Sequence, residues 1–119
     1  MSVSPSFRTF VLDQLGRVAS GVRDRGMFGG VGIYADDLFF ALIADDALYL
    51  KVDDTNRADF EERSMGPFRP FGEGGEVMQY YQVPDEVLED AEKLHSWVDK
   101  AIAVARNKKA KGRRRARRR

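Results

Sequence analysis

Three features of the chain predict an α+β fold with a largely antiparallel sheet. Short apolar runs are separated by Asp pairs and glycine clusters, the pattern of strands joined by tight turns. Segments of helical periodicity stand at the two ends and once in the middle, without the regular strand–helix alternation of a doubly wound domain. The connections are mostly too short for parallel crossovers. The expected order is helix, three strands, short helix, two strands, helix, giving a sheet of about five strands with helices packed against it.

Ser4-Pro5 opens the first helix, with Ser4 as cap and Pro5 at the first helical position, where a missing N–H is harmless. Phe7, Phe10, Val11, Leu15 and Val18 follow at helical spacing on one face. Residues 16–26 hold three glycines and alternating charges, so the helix is expected to end among them. Apolar runs at 27–34, 38–43 and 48–52 then read as three strands, parted by Asp36-Asp37 and Asp45-Asp46 and followed by Asp53-Asp54. A short helix capped by Asp54 or Thr55 comes next, with Phe60 and Met65 as its apolar points, and Gly66-Pro67 ends it. Residues 68–71 and 77–83 read as a hairpin across Gly72-Glu73-Gly74-Gly75. Pro84-Asp85-Glu86 opens the last helical region, with acids in its first turn. Leu94, Trp97, Val98, Ala101, Ile102 and Ala105 form its apolar stripe, which is expected to fade where a basic tail begins.

The formal charge of +1 conceals a segregation. Residues 1–105 carry ten basic and nineteen acidic side chains, a balance of −9, and residues 106–119 carry ten basic side chains and no acid. That divides the chain into one domain over 1–105 and a tail over 106–119. The tail holds Arg106, Lys108, Lys109, Lys111, Arg113, Arg114, Arg115, Arg117, Arg118 and Arg119. Nothing in it is large enough to bury apolar surface against its ordering entropy, so disorder is expected. These ten residues are the candidate nucleic-acid contacts, because arginine pairs bidentately with phosphate and seven of the ten are arginine. Such contact carries no base-sequence information. The competing reading is a solvated end that aids solubility or folds back on the acidic domain.

The other candidates have plainer explanations. Cysteine is absent, which removes disulfides, thiolate nucleophiles and Cys-ligated metals. No apolar run approaches the roughly 20 residues of a membrane span, and the N-terminus has no secretory pattern, so a cytoplasmic protein is expected. Residues 26–32 are glycine-rich but match no phosphate-loop motif and precede a strand, so the glycines serve a bend or close backbone approach, with Met27 and Phe28 packed inward. The Asp pairs suit turns, although Asp36-Asp37 and Asp53-Asp54 could share one end of the sheet and converge on a cation. His95 is the only histidine, with Glu92 and Asp99 at helical spacing, and reads as a surface residue. Tyr34, Tyr49, Tyr80, Tyr81, Phe39 and Phe40 could form a base-stacking platform, but in an acidic domain sheet packing is the stronger reading. No nucleophile–base constellation is present, so no catalytic, metal or cofactor residues are assigned.

Met27 to Gly30, Gly32 to Tyr34, and the run Leu38-Phe39-Phe40-Ala41-Leu42-Ile43-Ala44-Asp45-Asp46-Ala47-Leu48-Tyr49-Leu50-Lys51-Val52-Asp53 resemble the N-terminal domain of the TfoX/Sxy family. So do Phe60, Met65-Gly66-Pro67-Phe68, Met78-Gln79-Tyr80-Tyr81-Gln82-Val83-Pro84, Val87-Leu88, Leu94 and Trp97. The resemblance spans about residues 5–105 in order. It implies a small α+β domain with an antiparallel sheet, and a link to regulators of bacterial DNA uptake. Full-length regulators carry a second, helical domain where this chain has its basic tail. The expected function is a non-enzymatic, transcription-associated accessory module, its acidic domain meeting a protein partner such as transcription machinery and its tail meeting DNA or RNA. A protein-interaction or structural module with an incidental tail is the alternative. No membrane partner is expected, and no motif decides the oligomeric state.

Overall fold

The computed structural model describes residues 3–27, 29–69 and 78–117. Helix α1 (Pro5–Val18) starts as expected: the Ser4 hydroxyl accepts the Phe7 amide at 3.3 Å, and Pro5 stands in the first turn. It buries Val11, Gln14 and Leu15. The Gln14 side-chain amide donates to the Leu88 carbonyl at 2.9 Å, so a polar group enters the core already paired.

Among the described residues the sheet has six strands rather than five, in the order β1-β2-β3-β4-β6-β5, with every neighbouring pair antiparallel. They are β1 (Val22–Met27), β2 (Gly30–Ala35), β3 (Leu38–Ala44), β4 (Ala47–Lys51), β5 (Pro67–Phe68) and β6 (Met78–Gln82). The additional strand is β1, whose sequence VRDRGM lacks apolar alternation because it is an edge strand with no buried residue. Charge on such an edge discourages pairing with another chain. The Asp pairs turn the hairpins: Asp36 is left-handed (φ 54°), and Asp45 and Asp46 are consecutive left-handed residues (φ 49° and 53°), the signature of a type I′ turn. The glycines expected at 72–75, and Phe28, lie outside the described residues.

A bulge in β3 decides which aromatic rings face which way. Ile33 pairs with Ala41 and Tyr34 with Phe39, leaving Phe40 as the extra residue. Phe40 is fully buried beside Ile33, Ile43, Leu48 and Leu50, on the face covered by α1, α3 (Asp85–Leu88) and α4 (Ala91–Arg117). Phe39 joins the opposite face with Leu42, Ala44, Tyr49 and Tyr80.

Helix α2 (Arg57–Glu61) departs from expectation at its start. Neither Asp54 nor Thr55 caps it; Asn56 occupies the cap position and makes no side-chain bond into the helix. Its side chain, 2% exposed, accepts the Asp53 amide at 2.9 Å and donates to the Lys51 carbonyl at 3.0 Å. Asn56 thereby fastens the chain leaving β4, and Phe60 on α2 meets Trp97 of α4 edge-on at 4.8 Å. The last helical region is two helices, because the Asp90 carboxylate receives the amides of Glu92 and Lys93 at 3.0 and 3.3 Å and restarts the helix as α4.

Candidate nucleic-acid interface

Helix α4 runs 27 residues without a break, and its two halves have opposite character. Leu94, Val98, Ala101, Val104 and Ala105 are buried against the sheet and α1. Beyond Ala105 no side chain with a described environment is buried, yet the backbone stays helical to Arg117. The described backbone of residues 106–117 is helical. Two physical reasons account for this. Arg, Lys and Ala are strong helix formers, and the costly nucleus has already been formed by the anchored half, so each added residue needs only propagation. Cations at a helix C-terminus also favour its dipole.

Arg106, Lys108 and Lys111 are exposed on this extension, and Lys109 is half-buried. Arg113, Arg114, Arg115 and Arg117 continue the helical backbone, while Arg118 and Arg119 lie outside the described residues. The extension also touches the body: Lys109 pairs with Asp37 in the β2–β3 turn. Arg106 lines a cleft of about 390 Å³ together with Ser20, Asp36, Asp99 and the apolar side chains of Leu38 and Ile102.

The glycines, Asp pairs and histidine are placed as follows. Gly29 takes φ 78°, and a Cβ on Gly30 would stand 2.5 Å from the Ile43 carbonyl oxygen, so these glycines permit close approach of β2 to β3. Met27 does not pack into the helix-side core; its side chain lies over Gly32 on the opposite face. Asp45 and Asp46 sit at the far end of β3 from Asp36 and Asp37, Asp53 accepts the Thr55 amide at 2.8 Å, and Asp54 pairs with Arg57. Among the described residues, no group of three His, Asp or Glu side chains is placed to hold a metal ion. His95 Nε2 is 3.5 Å from Asp99 Oδ2, both exposed on α4.

The tyrosines divide between the two faces. Tyr81 meets Phe60 on the helix side, while Tyr34, Phe39 and Tyr80 form a ladder on the other, with centroid separations of 5.0 and 5.6 Å. Tyr49 packs on Phe68 at 5.0 Å on that same face. Sequence reasoning missed Lys51, which stands beside this ladder. Its ammonium lies 5.6 Å from the Phe39 centroid and 5.5 Å from that of Tyr80, and donates to the Phe39 carbonyl at 3.2 Å. Burial first, and then the charge of Lys108, lower its pKa from 10.5 to about 8. Burial raises Tyr80, helped by Tyr34, and burial with Asp45 nearby raises Tyr49. The one available signal was a lysine two residues after Tyr49 in an otherwise apolar strand, which alternation places on the tyrosine's face.

A six-stranded antiparallel sheet with helices on one face and a helical cationic extension defines a small α+β module with a segregated basic end. The chain belongs to the TfoX N-terminal domain family, whose model matches residues 13–105. The match ends at Ala105, inside α4 and immediately before the basic run. No curated protein matches the chain. Among the described residues, no helix is long and apolar enough to cross a membrane.

Proposed function

We propose that this chain is a non-enzymatic, transcription-associated accessory module of the cytoplasm that touches nucleic acid through the cationic half of α4 and leaves its acidic body for a protein partner. The supporting observation is the helical run beyond Ala105, which has eight basic residues and no acid between Arg106 and Arg117. The family's association with regulators of DNA uptake accords with this role. Contact is to phosphates and is independent of base sequence, so selectivity comes from whatever the acidic body binds.

The ion pair between Lys109 and Asp37 favours a second reading, in which the extension lies along its own domain and the chain is a protein-interaction module. Salt dependence separates the two. If about six cations engage phosphates, affinity for duplex DNA falls roughly a thousandfold between about 50 and 200 mM salt, a log–log slope near −5. The measurement is a mobility shift at both salt concentrations, with the full chain and with residues 106–119 removed. Binding that truncation leaves unchanged would refute the nucleic-acid role of the helix.

A further inference from the structure

Among the described residues, Lys51 on the sheet face opposite the helices has no carboxylate partner, in a body whose net charge is strongly negative. Lys51 is 9% exposed, and an ammonium has three donors. One goes to the Phe39 carbonyl; among the described residues no carboxylate pairs with it. The charged group that bears most on it is another cation, Lys108, from the first exposed turns of the α4 extension. Lys109, its neighbour on α4, is already committed to Asp37. A buried cation that feels the charge of a second is the arrangement an anion relieves.

Flat apolar surface lies alongside. Tyr34 and Phe39 are stacked with a 24° interplanar angle and are both half-buried. On the edge strand, Arg23 places its guanidinium 5.9 Å from the Tyr34 centroid, near the outer limit of a cation–π contact. Arg23 is exposed, and its guanidinium also donates to the Asp36 carbonyl at 2.6 Å. A cation for a phosphate, beside ring surface for a planar base, makes a stacking platform with an electrostatic partner. An acidic peptide would answer the charge but not the rings, and a duplex hides the faces of its bases.

We propose that this end of the helix-free face binds single-stranded nucleic acid, with a phosphate drawn to Lys51 and a base stacked on Tyr34 beneath Arg23. This rests on the nucleic-acid reading of α4 and extends it from charge to strand type. The cationic extension supplies sequence-independent attraction, and the sheet supplies a preference for unpaired bases.

The test compares three fluorescent probes by anisotropy with the full chain: a thymidine 12-mer, an abasic 12-mer of equal charge, and a 12-base-pair duplex. The thymidine strand is expected to bind about tenfold more tightly than the abasic strand, the scale of stacking a single base. Tyr34→Leu, which keeps apolar bulk on the strand, is expected to abolish that ratio while leaving abasic binding unchanged. Lys51→Met is expected to weaken both single strands severalfold and the duplex little. Equal binding of the thymidine and abasic strands by the wild type, or a ratio that survives Tyr34→Leu, overturns the proposal. Polyglutamate competing as well as the thymidine strand also overturns it. Removal of residues 106–119 weakens all three probes together if α4 acts through charge. That outcome is independent of the thymidine-to-abasic ratio, so the two readings fail separately.

Discussion

Replacing Lys51 by methionine should flatten the alkaline rise in this protein's stability. The folded-state pKa of Lys51 lies at about 8, below the 10.5 of an unstrained lysine. Between those values the unfolded chain holds a proton that the folded chain has released, so stability increases with pH. The contribution is fully present above 10.5 and is lost as the pH falls through 8. Integrating that difference gives a gain of about 2 kcal/mol between pH 7 and about 9.5. Tyr80 and Tyr49 act in the opposite sense at higher pH. Their pKa values are raised on folding, so above about pH 10 the unfolded state loses protons the folded state retains, and stability declines. Urea denaturation at pH 7, 8 and 9.5 reads the effect directly. The wild type should gain the 2 kcal/mol, and Lys51→Met should start higher and stay nearly level. If both proteins change by the same amount, Lys51 is not desolvated in the way its surroundings require.

Two further substitutions test the backbone and the buried polar contacts. Gly30→Ala drives a methyl to 2.5 Å from the Ile43 carbonyl oxygen in the middle of the sheet, and should lower stability by about 2–3 kcal/mol in chemical denaturation. Gly26→Ala meets nothing within 4 Å and should leave the denaturation midpoint nearly unchanged. Asn56→Ala removes one acceptor and one donor from buried backbone partners, so a loss of about 2 kcal/mol is expected by thermal or urea unfolding, whereas Thr55→Ala should have a smaller effect.

Much of this fold was legible because local chemistry and tertiary need agree. Ser4-Pro5 caps α1, the Asp pairs turn the hairpins, and the apolar stripe from Leu94 to Ala105 faces the core. The failures occurred where they diverge. β1 was hidden because an exposed edge strand has no buried face to impose alternation. Propensity favours Asp54 or Thr55 as the cap of α2, but Asn56 holds that position with its side chain occupied by the chain behind it, a contact no spacing rule contains. The aromatic platform was weighed as one set of rings. The bulge at Phe40 divides it, sending Phe40 inward and leaving Phe39 with Tyr34 and Tyr80 on the other face. Lys51 follows Tyr49 closely in sequence, but its position between the rings of Phe39 and Tyr80 is a tertiary contact that no spacing rule contains.

The unbroken course of α4 has a mechanical consequence. A cationic run on a free coil samples every direction, so a strand it captures has no defined relation to the rest of the molecule. Here the first four turns are clamped in the core, and the helix of 27 residues has a length of about 40 Å. The basic end is therefore the far arm of a lever whose fulcrum is the sheet. A load on that arm transmits torque to β3 and β4, the strands on which α4 rests.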